Sequence, residues 1–350
     1  MNEFFEVTTR SRRYPVYVGE GLLHKIGSLI PEVPERIFVI TDDVVSNLHL
    51  APLIDGLTGS NTETIVRALA AGEETKTLST ACMLLDFLLE NNATRSDMVL
   101  ALGGGVIGDL TGFVASTLKR GVRLAQVPTT LLAQVDSALG GKTGVNHRLG
   151  KNLIGTFYQP HLVVADVSTL KTLPSSTYVD GLAEVVKYAV IMNPTLMDFL
   201  LERKNEILRR DSDTLTLIVE HCLRLKAKVV EEDETEEGRR REVLNFGHTV
   251  GHAIETCTQH SVSHGQAVAI GMVEEAQLAV RMGLLSEESV ETLVSTLKIF
   301  GLPTEVPSAI DKKELTSVMQ QDKKVRRGQL ILPVLLELGR TELRAIDSVY

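Results

Sequence analysis

The first half of the chain alternates two hydrophobic patterns, and this alternation limits the possible folds more than any other feature of the sequence. Short runs rich in branched aliphatic residues are separated by segments with helical periodicity, of which residues 78–90 are the clearest. Strands alternating with helices are typical of βαβ units, which build a parallel sheet. We therefore predict a parallel α/β domain with strands at residues 36–41, 64–69, 97–102 and 122–127 and a strand pair at its edge within residues 4–18.

The pattern changes after Leu173-Pro174-Ser175, where helical periodicity replaces the alternation. Single cores rarely grow beyond ~250–300 residues, so a chain of 350 residues favours two domains. We predict an α/β domain at residues 1–173 and a mostly α-helical domain at residues 174–350. The second domain has predicted helices at 176–190, 213–231, 241–256, 266–282 and 287–299, and a closing strand pair at 329–336 and 342–346.

Composition and charge restrict the class of partner. A net charge of −9, with no basic stripe that includes aromatic residues, argues against nucleic-acid binding. The three cysteines are widely spaced without a C-x-x-C pair, which argues against a disulfide framework and fits a reducing compartment. The first residues do not resemble a secretory signal, and no run approaches the ~18 apolar residues that span a bilayer. We expect a soluble, cytoplasmic protein without a membrane segment.

A glycine-rich turn joins the predicted strand at 97–102 to a helical pattern. Gly103, Gly105 and Gly108 satisfy the spacing G-x-G-x-x-G between a strand and a helix. Glycine lets the backbone approach a pyrophosphate, and a helix N-terminus supplies N–H donors. However, no acidic residue ends the next predicted strand to bind a ribose, and the motif does not follow the first strand. The turn indicates either a Rossmann-like dinucleotide site of an unusual kind or only a tight turn.

A second segment, residues 136–146, combines paired glycines with a lysine. Its GGKT core is similar to a P-loop, but the first glycine of G-x-x-x-x-G-K-[ST] would fall on Asp136, so the P-loop interpretation fails. Lys142 beside paired glycines still suits an anion, and Lys151 and Asn152 follow closely. The alternative is that these lysines are solvent-exposed on a glycine-rich loop.

The candidate metal ligands lie in the second half of the chain. They are one carboxylate, Glu184, and the imidazoles of His248, His252 and His264. The H-x-x-x-H spacing of the first two histidines can place both imidazoles on one metal, and one carboxylate with two imidazoles is the ligand count of a catalytic zinc site. Two alternatives stay open: the histidines serve as a cap and a core residue, or Glu184 forms a buried ion pair with Lys187 at i+3.

Further basic and amide groups accompany these residues. Arg241 and Asn245 lie seven and three residues before His248, so a single helix would present all three on one face. Lys226 lies on the preceding predicted helix, and Lys323-Lys324 precede the closing strands. Separately, each is typical of surface charge. As a converging set, they would bind a substrate that carries a carboxylate and a phosphate.

Six long motifs occur in order, and together they resemble the 3-dehydroquinate synthases of the shikimate pathway. They are GGGVIGDLTGFVAST, QVPTTLLAQVDSALGGKTGVN, GKNLIGTFYQP, GLAEVVKYA, LNFGHTVGHAIE and SHGQAVAIGM. The resemblance implies an NAD-binding α/β domain, a helical domain with one divalent metal (Zn²⁺ or Co²⁺) and a homodimer. It also implies conversion of 3-deoxy-D-arabino-heptulosonate 7-phosphate into 3-dehydroquinate and phosphate, by transient oxidation, phosphate elimination, re-reduction, ring opening and intramolecular aldol closure.

The resemblance also implies roles for individual residues. The metal ligands become Glu184, His248 and His264, which makes His252 a substrate or relay residue. Contacts with NAD are implied for Glu73, Lys76, Gly105, Val106, Ile107, Gly108, Asp109, Thr129, Thr130, Lys142 and Lys151. Contacts with the substrate are implied for Asp136, Lys142, Asn152, Lys187, Lys226, Arg241, Asn245, His252 and the segment 322–324, together with Arg120 from across the dimer interface.

Three positions depart from the family pattern. Arg148 stands at a usual proline, Arg224 stands at a usual acidic residue, and the stretch between Lys226 and Arg241 is one residue longer. The rival functions are another sugar-phosphate cyclase, a metal-dependent polyol dehydrogenase, which would produce NADH without releasing phosphate, and an inactive scaffold.

Overall fold

A computed structural model of the chain describes residues 2–59, 62–259, 261–320, 325–326, 329–346 and 349. The strands are β1 (Asn2–Thr8), β2 (Arg13–Gly19), β3 (Arg36–Asp42), β4 (Glu63–Leu69), β5 (Met98–Gly103), β6 (Arg123–Pro128), β7 (Lys142–His147), β8 (Gly150–Phe157), β9 (Leu162–Asp166), β10 (Val325–Arg326), β11 (Gln329–Glu337) and β12 (Arg340–Ile346). The helices are α1 (Ile26–Leu29), α2 (Asp43–Val45), α3 (Ala51–Leu57), α4 (Leu78–Glu90), α5 (Gly105–Thr117), α6 (Ser175–Met192), α7 (Pro194–Glu202), α8 (Lys204–Leu208), α9 (Ser212–Glu232), α10 (His248–Cys257), α11 (His264–Arg281), α12 (Glu287–Ile299) and α13 (Lys312–Gln320).

The chain forms two compact units. The first contains Met1–Pro174 together with Arg210–Glu234, and the second contains Ser175–Arg209 together with Thr235–Tyr350. The predicted single boundary at residue 174 would place α9 in the helical half, whereas its contacts place it in the first unit. There the Thr8 N–H of β1 donates to the Glu231 carboxylate at 2.7 Å. As a division into domains, the boundary stays a prediction.

The first unit is built around a seven-stranded sheet with the order β1-β2-β9-β6-β5-β3-β4. All neighbouring strands are parallel except β1 and β2, which pair antiparallel at the edge. The predicted α/β class, the four predicted parallel strands (β3, β4, β5 and β6) and the antiparallel strand pair at the edge are therefore confirmed. The sequence reasoning missed β9 and the antiparallel hairpin of β7 and β8, which it interpreted as a glycine-rich loop.

The strand order explains the position of the glycine turn. Without β1 and β2, the sheet order is β4-β3-β5-β6-β9, which is a doubly wound order of the type 2-1-3-4-5. In such sheets a ligand binds at the carboxyl ends of the strands where the winding direction reverses, here between β3 and β5. The glycine turn follows β5, so it lies at this point even though β5 is not the first parallel strand.

Hydrophobic cores cover both faces of the sheet. Phe38 and Ile40 of β3 contribute to the core formed with α4 and α5. The alternate residues Ile37 and Val39 contribute to the core on the opposite face, which includes residues of α1 and α3. All four are fully buried. Burial on both faces is the environment expected for a parallel strand, and it holds the carboxyl ends of the strands in fixed positions.

The second unit combines α6–α8 and α10–α13 with a three-stranded antiparallel sheet, β10-β11-β12. The predicted mostly helical class and the closing strand pair are confirmed. Helices α10 and α11 approach closely, because a Cβ atom on Gly271 would lie only 2.0 Å from the Gly247 carbonyl oxygen. In the described part of the chain, no helix combines the length and apolar character needed to cross a bilayer.

The predicted helix at residues 241–256 is confirmed from His248 onward and is wrong for residues 241–247. Residues Arg240–Asn245 form a 3₁₀ segment, and α10 begins only at His248. Between them Gly247 adopts a left-handed conformation with φ of 79°, which glycine tolerates and which ends helical continuity. Arg241 and Asn245 therefore do not share one helical face with His248.

Candidate functional site

The glycine turn forms the N-terminus of α5. A Cβ atom on Gly108 would lie 2.9 Å from the side-chain oxygen of Gln126 on β6, and the Gln126 amide donates to the Gly108 carbonyl at 3.0 Å. Glycine therefore lets α5 pack close to β6, as it does in dinucleotide-binding turns. A first helical turn also leaves N–H donors available to an anion. The predicted cofactor contacts Gly105, Val106, Ile107, Gly108 and Asp109 all lie in this first part of α5.

Two predicted cofactor contacts follow β6 and lie beside the glycine turn. The Thr129 N–H donates to the Gly103 carbonyl at 3.0 Å, and Thr129 is 3 % exposed. A Cβ atom on Gly104 would lie 3.0 Å from the Thr130 methyl group. The ends of β5 and β6 thus place the glycine turn and the two threonines together, although no sequence spacing linked them.

Lys76 connects two further predicted contacts. Its ammonium group donates to the carboxylate of Asp109 and to the side-chain oxygen of Asn152, both at 2.6 Å. Burial raises the pKa of Asp109, and the nearby Lys76 ammonium partly opposes this effect. Lys76 itself is 5 % exposed, so it is fixed rather than solvated. The predicted cofactor and substrate contacts therefore meet at one buried cation.

The other predicted anion-binding residues of the first unit fall into two groups. Lys142 begins β7, whereas Lys151 lies with Asn152 on the facing strand β8, and both lysines are exposed. Lys226 on α9 is buried, and its ammonium donates to the Asp136 carboxylate at 2.9 Å and to the Asp136 carbonyl at 2.8 Å. These bonds to Asp136 give the buried Lys226 side chain a defined orientation that a surface lysine lacks.

The three predicted metal ligands lie together in the second unit. Nε2 of His248 is 3.4 Å from Oε1 of Glu184, and Nε2 of His264 is 3.6 Å from the same oxygen. These three ligand atoms lie within 4.8 Å of one another, and Glu184 is fully buried on α6. One carboxylate oxygen and two imidazole nitrogens around a common point are suited to one divalent metal with an open coordination position.

The second nitrogen of each imidazole also has an acceptor. Nδ1 of His248 lies 3.2 Å from the Phe246 carbonyl, and Nδ1 of His264 lies 3.3 Å from Oε2 of Glu255. With Nδ1 as the donor of each neutral imidazole, the Nε2 lone pairs would be directed at the shared point, an orientation typical of metal-ligating histidines. Glu255 had no role in the sequence reasoning, although it ends the motif GHAIE within the metal segment.

Electrostatics favour a cation at the shared point. Burial lowers the pKa of His264, but the hydrogen bonds and negative charges of Glu184 and Glu255 outweigh this effect and raise that pKa to about 10. A metal ion at this position would replace the His264 proton, because a ligating imidazole must be neutral. The same two carboxylates that hold the proton would therefore stabilise the metal.

Lys187 pairs with the same carboxylate from the other side. Its ammonium forms an ion pair with Oε2 of Glu184, and it lies 5.2 Å from the centroid of the Tyr188 ring. The metal ligand set and the ion pair, which the sequence left as alternatives, use different oxygens of Glu184 and are compatible.

The other predicted substrate contacts, His252, Arg241, Asn245 and Arg120, differ in their exposure to solvent. The His252 ring centroid lies 5.5 Å from that of His248, one turn further along α10, and His252 is exposed. Arg241 is buried, with Nε 3.5 Å from the Glu236 carboxylate, and Asn245 ends the 3₁₀ segment. Arg120 is exposed and has φ of 65°. The predicted contacts at residues 322–324 lie outside the described residues.

Comparisons with known proteins cover nearly the whole chain. The family described as 3-dehydroquinate synthase N-terminal matches residues 66–180, and the family described as 3-dehydroquinate synthase C-terminal matches residues 181–325. A 3-dehydroquinate synthase of Desulforamulus reducens is 42% identical over 341 residues, which cover 97% of this chain and 95% of that protein.

Two solved structures are similar throughout. A 2-deoxy-scyllo-inosose synthase complexed with carbaglucose-6-phosphate, NAD⁺ and Co²⁺ has a TM-score of 0.89 and 29% identity, covering 99% of this chain and 95% of that one. The 2-epi-5-epi-valiolone synthase of Streptomyces hygroscopicus subsp. jinggangensis, with NAD⁺ and Zn²⁺ bound, has a TM-score of 0.88 and 25% identity, covering 97% of this chain and 94% of that one.

Proposed function

The chain belongs to the 3-dehydroquinate synthase family, and on that premise we propose that it converts 3-deoxy-D-arabino-heptulosonate 7-phosphate into 3-dehydroquinate and phosphate. The chain is a phosphate-eliminating carbon–oxygen lyase of this family. The observation that carries the proposal is the consecutive match of both family descriptions across residues 66–325. The reaction has no net redox change, since an oxidation is followed by a matching reduction.

One divalent metal, Zn²⁺ or Co²⁺, would bind Glu184, His248 and His264. Two observations support this metal site. Oε1 of Glu184 lies close to the Nε2 atoms of both histidines, and the Nδ1 atom of each histidine has a hydrogen-bond acceptor nearby. When bound to these three residues, the metal would supply a Lewis acid for the hydroxyl groups of the substrate. Lys187 would balance the charge on the second oxygen of Glu184 in this buried site.

NAD would bind at the carboxyl ends of β5 and β6. The first turn of α5 supplies backbone N–H groups for a pyrophosphate, and Thr129 and Thr130 lie beside this turn. When bound, NAD would supply the hydride acceptor for the transient oxidation of the substrate and the hydride donor for the matching reduction. Further NAD contacts are proposed for Glu73, Lys76, Asp109, Lys142 and Lys151.

The substrate would be held by a set of cations and amides. Its carboxylate and phosphate need charged donors, and a flexible seven-carbon chain must be held in one reactive conformation. Lys226 and Arg241 suit this function because each is buried and lies beside an acidic side chain. The full proposed set is Arg120, Asp136, Lys142, Asn152, Lys187, Lys226, Arg241, Asn245 and His252.

A homodimer is part of the proposal, with Arg120 of one protomer reaching the substrate phosphate of the other. Its exposed side chain on the 3₁₀ segment Leu118–Arg120 is compatible with such a contact. We also propose that the enzyme acts in the cytoplasm, on a small anionic substrate and without nucleic acid or membrane partners.

The test is an assay of phosphate release from 3-deoxy-D-arabino-heptulosonate 7-phosphate in the presence of NAD⁺ and Zn²⁺. The absorbance of NADH is followed in the same assay. Catalytic phosphate release without accumulating NADH, with 3-dehydroquinate as product, is the expected result. Release only from a hexose 6-phosphate would identify another sugar-phosphate cyclase. NADH accumulating with simple polyols, and no phosphate release, would identify a dehydrogenase and refute the proposal.

A further inference from the structure

The side chain of Asn146 forms two hydrogen bonds in opposite directions. Its amide nitrogen donates to the Glu73 carboxylate at 2.6 Å, and its amide oxygen accepts from the Asn152 backbone N–H at 3.0 Å. Glu73 belongs to the proposed NAD contacts and Asn152 to the proposed substrate contacts, so one residue without an assigned role joins the two sets.

The backbone of Asn146 strengthens the same connection. The β7–β8 ladder is irregular between Val145 and His147, and the Asn146 N–H donates instead to the Lys76 carbonyl at 2.8 Å. Thr77 and Asn146 also form an isolated parallel bridge. The segment from Glu73 to Thr77 is therefore attached to the end of β7 through both the backbone and the side chain of Asn146.

Asn152 is held from a second side by the same segment. Its side-chain oxygen accepts from the Lys76 ammonium at 2.6 Å, and its φ of 54° is an unusual backbone conformation for a residue other than glycine. Such a conformation persists when surrounding contacts fix it. The bond from its N–H to Asn146 and the bond from Lys76 supply two such contacts.

We propose that Asn146 is a positioning residue that couples the NAD contact segment to the substrate contact Asn152. It touches neither ligand in this assignment and acts through Glu73 and Asn152. The inference rests on the proposed function, because it depends on the roles given to these two residues. It predicts that loss of the Asn146 side chain weakens binding of both ligands.

An asparagine is the side chain that this position requires. Aspartate has the same shape and could still accept from the Asn152 N–H, but it cannot donate to Glu73 and would place two carboxylates in contact. Alanine removes both bonds. Asn146→Asp therefore removes only the bond to Glu73, whereas Asn146→Ala removes the bonds to both Glu73 and Asn152. Comparing the two variants separates the effect on NAD binding from the effect on substrate binding.

The experiment measures two quantities for each variant. The Kd for NAD⁺ is measured by isothermal titration calorimetry without substrate, and the KM for substrate is measured by phosphate release at saturating NAD⁺. The matched control is Asn91→Ala, because Asn91 is also half-buried in the first unit and its amide donates one hydrogen bond, to the Phe87 carbonyl at the end of α4. Circular dichroism melting compares folding across the variants.

For Asn146→Ala we expect a roughly 3- to 10-fold rise in both Kd and KM, which corresponds to the loss of one hydrogen bond on each side. For Asn146→Asp we expect the same rise in Kd with a KM within about twofold of the wild type. Unchanged Kd and KM in Asn146→Ala, equal losses in both quantities for Asn146→Asp, or equal losses in Asn91→Ala would overturn the inference. The calorimetry needs no turnover, so it tests the NAD side even if the wild type releases no phosphate, a result that would refute the proposed function separately.

Discussion

The sharpest structural prediction concerns the two oxygens of Glu184. One faces the Nε2 atoms of His248 and His264, and the other forms an ion pair with Lys187. Glu184 is fully buried and Lys187 is 1 % exposed, so neither charge has access to bulk water. Glu184→Gln should therefore damage the protein in two separable ways, by leaving the Lys187 charge uncompensated and by weakening the metal site.

The first effect appears without metal. Removing one partner of a buried ion pair costs about 3–5 kcal/mol, because the remaining charge stays desolvated. We expect a loss of this size in the free energy of unfolding for Glu184→Gln in chelator-treated protein. The double variant with Lys187→Met should recover much of the loss, since a methionine of similar length leaves no buried charge. Urea unfolding followed by circular dichroism is suitable, because the chain contains no tryptophan.

The second effect appears when zinc is added. A ligand that binds only the folded state stabilises it by about 2.7 kcal/mol at a free concentration ~100 times its Kd. In Lys187→Met, added zinc should still raise the free energy of unfolding by most of this amount. In Glu184→Gln and in the double variant, added zinc should not raise it. Two results would refute this prediction. One is that Glu184→Gln lowers the free energy of unfolding of the metal-free protein by less than about 1 kcal/mol. The other is that zinc stabilises this variant as much as it stabilises the wild type.

Three further predictions concern individual side chains. Glu255→Gln should weaken zinc binding by roughly 10- to 100-fold, measured by competition with a chromophoric chelator, because the anionic acceptor of His264 Nδ1–H is lost; unchanged affinity would contradict this. Gly271→Ala should lower the unfolding free energy by about 1–3 kcal/mol, because the new Cβ would collide with the Gly247 carbonyl; an unchanged urea midpoint would contradict the close packing. Burial, helped by nearby arginines, lowers the pKa of His161 from 6.5 to about 3. Between these values the unfolded chain binds a proton that the folded state excludes, so the stability contributed by His161 should fall by about 2 kcal/mol from pH 7 to pH 5. His161→Asn, which keeps an acceptor without titrating, should show a smaller fall over the same pH range; an equal fall would refute this assignment.

The strands and the glycine turn were predictable because they depend on local patterns. Continuous apolar runs identified β3, β5 and β6. The spacing of Gly103, Gly105 and Gly108 identified the turn, because glycine allows the backbone to approach a neighbouring strand or a ligand closely. The position of the turn in the sheet was not predictable, since it depends on the order in which strands pair. The β7–β8 hairpin was missed because β7 contains a single aliphatic residue, Val145, and β8 is mostly exposed. The connection through Asn146 depends on this hairpin.

The proposed metal ligands show a different limit of prediction from sequence. Spacing alone favours His248 and His252, which lie one turn apart on α10. The structure also brings His264 of α11 close to both, in one group with Glu184 and His248 and in a second group with Glu255 and His252. The ligand choice depends on the close approach of α10 and α11, which Gly247 and Gly271 permit and which no spacing within one helix encodes. The proposal of His264 as a ligand came from the resemblance to a family. The left-handed Gly247 also separates Arg241 from α10, which is why the prediction of one helix over residues 241–256 was wrong before His248.

The most direct test of the proposed cyclase reaction follows the hydride. Substrate carrying deuterium at C5 is converted with NAD⁺ and Zn²⁺, and the label is located by mass spectrometry in the product and in the nicotinamide pool. The proposal predicts one phosphate released per substrate, deuterium retained at the same carbon of 3-dehydroquinate, and no labelled NADH accumulating. Transfer of the deuterium to NADH in proportion to substrate consumed would contradict a transient oxidation and would identify a net dehydrogenase.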